Sequence, residues 1–422
     1  MSPGKPGTAG SDWRQLRLAR AAGERAHWPA LDAGCLPAAA VQAALAAPGP
    51  VLLVAPDEQQ AWRLEQALHF YAGGDLPVRH FCDPETLPYD LYSPHPDLIS
   101  DRLALLAEFG RMGQGLILTT PYVLRSRLPP TDYLSGRSFV WRVGDRLRLE
   151  DEMTRLARAG YARVAEVAGH GEFAVRGALL DVYPMGARQA VRVDLFDDEI
   201  DSLRWFDVET QRSTDKVDEI RLLPTRELPL DDEAINAFRE RYRERFPRDI
   251  HRSRIYDDVS RGIAPGGIEA WLPLFFQQTA TLFDYLPAAT TVLDAAGEEA
   301  FAHDWAEIAE RHEQRRHDIE RPVLDPEELY LGPASLRAAL GAHGYTAAPY
   351  AAPGAEIPQT PLADALAGSA RTLLVAGTAS QREQIETELA RDHGLTPKRV
   401  GALAEFVADK ARVGVTLSLI HI

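Results

Sequence analysis

Residues 171–206, GEFAVRGALLDVYPMGARQAVRVDLFDDEIDSLRWF, admit few folds. Residues 173–177 lead into an apolar run at 179–183, which Pro184, Met185 and Gly186 stop. Val191, Val193 and Leu195 then alternate with Arg192, Asp194 and Phe196, the period of a strand with one buried face. Asp197, Asp198 and Glu199 supply a turn, and 200–206 returns as a second strand, Leu203 and Trp205 alternating with Arg204 and Phe206. A hairpin of this pattern is not stable alone and predicts a second layer against its apolar face.

At 422 residues the chain exceeds one ordinary domain. Its 45% hydrophobic and 26% charged content fits a soluble globular protein. The net charge of −16 argues against a surface built broadly for nucleic-acid backbone, which leaves a direct DNA-binding module as a weak alternative. Cys35 and Cys82 form neither a disulfide framework nor a CxxC pair, which fits a reducing cytosol. No run approaches the length of a membrane span, and the first residues lack the apolar core of a signal peptide.

Residues 51–54 are continuously apolar, as in a buried parallel strand. Asp57 follows as a helix cap, with Ala61, Leu64, Leu68 and Tyr71 on one helical face. A strand, turn and helix at this place would hold the phosphate loop of a helicase fold. Such a loop needs glycines to let amides converge, a lysine for the phosphates and Ser or Thr for Mg²⁺. The turn here is Ala55-Pro56-Asp57-Glu58, whose carboxylates repel phosphate. His303, His312 and His317 lack metal-ligand spacing, and the acids at 197–201 read as the hairpin turn. Tyr89, Tyr92 and His95 lie in a Pro/Tyr-rich loop, read as packing rather than as base-stacking groups. No catalytic, cofactor or metal site is assigned.

The motifs at 84–106 (PETLPYDLYSPHPDLISDRLALL), 171–186, 191–213 and 265–276 (PGGIEAWLPLFF) resemble the amino-terminal half of the transcription-repair coupling factors, and more distantly the excision-repair subunit UvrB. The resemblance runs from about residue 30 to about 320. It implies an α/β fold: a degenerate helicase-like parallel-sheet domain with an inserted α+β domain of the UvrB-interaction type, then a small, incomplete α/β domain. We expect an arm at 1–30, the first domain at 31–130 and 211–333, the insertion at 131–210, the small domain at 334–416 and a tail at 417–422 that is not family sequence. The chain then reads as an amino-terminal fragment without polymerase-binding and motor domains. Its implied role is cytoplasmic: recruiting UvrA to stalled RNA polymerase in transcription-coupled nucleotide excision repair. ATP and Mg belong to the full-length family protein, a translocase on double-stranded DNA. By motif match the UvrA-docking contacts fall on Arg176 and Arg163, with Phe173 beside them. Arginine offers a planar five-donor fork for carboxylates, and arginine beside an aromatic is a common interface anchor. Surface pairing of these arginines with Glu166 or Glu172 is the competing reading. A UvrB-type helicase subunit is the enzymatic alternative.

Overall fold

In the computed structural model, which describes residues 16–31, 35–248, 250–349, 372–376, 379–401, 405 and 413–417, the apolar run Val51–Val54 is an inner strand buried on both faces. It belongs to a six-stranded sheet in the order Arg25–His27, Gly344–Ala347, Thr291–Asp294, Val51–Val54, Leu116–Thr119, Val78–His80. Every pairing in it is parallel. Alternate residues of the inner strand feed two cores. Val51 and Leu53 pack with helices Cys35–Leu45 and Glu58–Ala72, whereas Leu52 and Val54 pack with helix Pro96–Phe109. The expected cap forms, the Asp57 carboxylate accepting from the Gln60 amide at 2.7 Å.

Two short strands of this sheet differ from the sequence reading. Arg25–His27, expected within an arm, pairs with Gly344–Ala347, expected within the small terminal domain. Gly344 is required there, because a Cβ would lie 2.3 Å from the carbonyl oxygen of Ala19. Residues 1–15 of the expected arm and 418–422 of the expected tail lie outside the described residues.

The second six-stranded sheet is a meander of Ala162–Arg163, Glu172–Arg176, Leu179–Val182, Ala190–Phe196, Glu199–Asp207 and Arg212–Val217 in chain order. Only its first pair is parallel. The predicted hairpin is its centre, and Asp197 makes the turn at φ +52°. The chain enters this region by Phe139–Arg142 and leaves by Glu219–Leu222, which pair antiparallel with Phe139 opposite Leu222. The sequence reading let the strand near 220 rejoin the first sheet; it closes the insertion instead. The buried face of the meander, through Phe173, Leu180, Val191, Val193 and Leu203, joins the same core as Leu52 and Phe109. A third sheet of Thr372–Ala376, Val413–Leu417 and Lys398–Arg399 is parallel and carries helix Ala379–His393, a small further domain.

The motifs at 84–96 and 265–276 are tied by direct docking. Gly267 sits at φ +69°, and a Cβ on it would lie 2.2 Å from the Asp90 carbonyl oxygen. The Ser93 hydroxyl accepts from the Gly267 amide at 3.1 Å and donates to Glu269 at 2.8 Å. Tyr89 is buried in this docked loop, Tyr92 is exposed, and His95 caps helix Pro96–Phe109.

His80, at the end of an edge strand, is clamped to helix Glu58–Ala72. Its two ring nitrogens lie 3.1 Å from Glu58 and 3.1 Å from Glu65. Burial alone would lower its pKa, but the two carboxylates outweigh burial and lift it from 6.5 to about 9. A folded pKa above the unfolded one stabilises fully below the unfolded value, and that stabilisation is lost as pH rises through the folded value. We expect up to about 3 kcal/mol of stability to fade between pH 6.5 and about 9. Urea unfolding near pH 6 and near pH 10 should show this loss in the native chain and not in His80→Gln.

Candidate functional site

The meander has two unlike faces. In Glu172–Arg176, Phe173 and Val175 turn to the shared core, and Ala174 turns to a small cluster with Val167, Ala190 and Phe206 on the other side. Arg176 shares that outer face with Ala174. It is exposed, and its guanidinium donates to Glu166 at 3.1 Å and to the Ala165 carbonyl at 3.2 Å. Glu172 is not its partner; that carboxylate accepts from the amides of Ala168 and Gly169.

Across the outer face, Ala174, Asp181, Arg192, Arg204 and Lys216 stand opposite one another on successive strands. Arg192 grips Asp181 with two bonds of 2.7 and 2.8 Å, and its guanidinium lies 5.0 Å from the Phe206 ring centroid. The hydrogen bonds that Arg192 donates to Asp181 raise the Arg192 pKa. Arg204 stands beside this pair with its buried Nε lacking a hydrogen-bond partner. Three cations therefore stand in one row with the buried carboxylate Asp181, and Asp194 lies two residues beyond Arg192 on the same face. Sequence reading assigned no role to Arg192, Arg204 or Lys216. Their alternation with apolar residues was the available signal, but cross-strand register was needed to align them.

The three sequence-assigned residues lie at one edge of this sheet without forming one patch. Arg163 is exposed on the short edge strand, in register with Phe173, and makes no hydrogen bond or ion pair with a described residue. Its neighbour Val164 packs into the outer cluster, so alternation puts Arg163 on the face opposite to Arg176. Phe173 is only 2% exposed and belongs to the core. Phe173, expected beside the two arginines as a docking contact, is adjacent to them along the sheet, with its ring turned into the core.

The turn after Val51–Val54 carries an acid at the head of the next helix. Asp57 occupies the helix N-terminus and satisfies an amide that an anion would otherwise take. At the end of the neighbouring inner strand, Asp294 does the same for the Ala296 and Gly297 amides at 2.9 and 3.1 Å. Among the described residues no group of three or more His, Cys, Asp or Glu is placed to hold a metal ion, and no helix is long and apolar enough to cross a membrane.

A strand pair that closes an inserted meander, on a helicase-like sheet whose phosphate turn carries acids, defines a class. The UvrB interaction domain family matches residues 139–228, beginning at the first residue of the strand Phe139–Arg142 that opens the insertion. Over a longer stretch the chain is 44% identical to the transcription-repair-coupling factor of Haemophilus influenzae across 283 residues, which are 66% of this chain and 24% of that protein. The same-named protein of Escherichia coli K12 is 43% identical over 285 residues, and that of Myxococcus xanthus 33% over 302. The chain is thus a homologue of the transcription-repair coupling factors and carries a UvrB interaction domain. It spans about a quarter of the length of the curated relatives it matches.

Proposed function

We propose that this chain is the recruitment module of a transcription-repair coupling factor, docking UvrA through the outer face and edge of the meander. The observation that carries the reading is Arg176: an exposed guanidinium, inside the matched interaction domain, on a face whose central row holds three cations. Its bond to Glu166 joins two exposed groups, so it is screened and readily exchanged for a partner's carboxylate. In this reading Arg163 contributes from the sheet edge, and Phe173 acts from below by holding the strand that presents Arg176. The module binds and does not hydrolyse. ATP-driven translocation on double-stranded DNA and engagement of stalled RNA polymerase belong to the longer family proteins, and the setting is the cytoplasm.

Calorimetry of purified UvrA with this chain tests the proposal. Arg176→Ala is expected to weaken binding by about 2 kcal/mol, roughly 30-fold, with an unchanged melting temperature. Binding unaltered by that substitution would remove Arg176 from the interface, and no binding by the native chain would remove the module itself.

A further inference from the structure

Helices Gly297–Arg315 and Pro333–Gly341 flank a groove of about 550 Å³ beside the edge of the first sheet, away from the meander. The first helix lines it with Glu298, Phe301, Ala302 and Trp305, which are spaced i, i+3, i+4 and i+7. The second lines it with Pro333, Leu336, Arg337 and Leu340 in the same spacing. That spacing is one continuous helical face, the face a helix normally turns to a packed neighbour. Among the described residues, no further helix packs between the two faces. Phe301, Trp305 and Leu340 are each only partly buried, so apolar surface stays wet along the groove.

The charges at this groove have one sign in excess. Arg25 enters from the edge strand with its guanidinium 5.0 Å from the Tyr345 ring centroid, and Arg337 is exposed without an ion pair to a described residue. Arg125 lies beneath, already neutralised by Asp304 and donating to the Leu331 carbonyl at 3.0 Å. Glu298 is the acid that lines the groove. Two available cations therefore border an apolar floor, on a chain of net charge −16.

We propose that this groove takes an amphipathic helix of a partner protein, with apolar residues at i, i+3 or i+4 and i+7 and acidic residues on its flank. Two facing helices leave the seat that a third helix fills by side-chain interdigitation, and acidic flanks meet Arg25 and Arg337. The groove is independent of the docking face around Arg176, and neither reading depends on the other.

The test uses the full chain and two labelled, helix-stabilised synthetic peptides that share three leucines at those spacings. One carries glutamate flanks and the other lysine flanks. Fluorescence anisotropy is expected to show the glutamate peptide binding on the order of 10 μM and the lysine peptide at least 10-fold more weakly. Arg337→Glu should reverse that preference, a result that misfolding cannot produce. Leu340→Asp should abolish binding of both peptides while the melting temperature stays within a few degrees of native. Absence of binding by the glutamate peptide, or a preference that Arg337→Glu leaves unchanged, would overturn the proposal. So would a concentration-dependent dimer that Leu340→Asp dissolves, since the groove would then hold a second copy of this chain.

Discussion

Arg102→Met is expected to destabilise the chain by about 3–5 kcal/mol, read as a lower midpoint in urea. Arg102 projects from helix Pro96–Phe109 into the interior, with a side chain 5% exposed. Its Nε donates to Glu227 at 2.8 Å, its Nη1 donates to the Cys82 carbonyl at 2.9 Å, and the guanidinium lies 4.4 Å from the Phe81 ring centroid. Burial opposes its charge, but the attraction of Glu227 prevails and the pKa is raised. Removing the cation leaves the largely covered Glu227 carboxylate uncompensated, and leaves the buried Cys82 carbonyl without its donor. The loss should be mostly electrostatic, so Arg102→Met combined with Glu227→Leu should recover at least half of it. The pair also joins a helix of the first domain to the segment just beyond the insertion, 125 residues later. Hydrogen exchange should therefore show the meander loosening together with the first sheet in the single variant. Loosening confined to helix Pro96–Phe109 would mean that the pair does not couple the two units.

That pair also marks where sequence reading stops. Local signals were legible: the buried strand from four apolar residues at 51–54, the cap from Asp57, and the hairpin from the alternation at 191–206. Each is written within a few residues of itself. Arg25–His27 was not legible, because a three-residue strand with two charged or polar ends becomes a strand only by pairing with residues 345–347. Gly344–Ala347 likewise owes its place in the first sheet to a neighbour some 50 residues upstream. The sequence reading ended the insertion at residue 210, whereas the strand that opens it pairs with Glu219–Leu222. Its closing strand Glu219–Leu222 reads like any short strand until Phe139–Arg142 lies beside it. The row of Arg192, Arg204 and Lys216 was not legible, because it exists only across strands.

Phe173→Ala separates two meanings that the sequence left joined. On a strand Phe173 and Ala174 face opposite ways. Neither of these two side chains is exposed: Phe173 and Val175 pack on the shared core, and Ala174 is covered by Val167, Ala190 and Phe206. Truncating a fully buried phenylalanine removes its transfer free energy and leaves a cavity, together about 3–5 kcal/mol. Arg176→Ala, three residues further on at the surface, should stay within about 0.5 kcal/mol in stability. Both substitutions are expected to weaken UvrA binding, by different routes. For Phe173→Ala the loss should follow the melting of the meander, so cooling into the range where near-ultraviolet circular dichroism is native should restore binding. For Arg176→Ala, binding should stay weak at every temperature where the protein is folded. Should Phe173→Ala remain folded and still fail to bind when cold, the ring would be touching the partner, and the edge of the sheet would have to open on docking. That outcome would make the 2% exposure of Phe173 a property of the free chain alone.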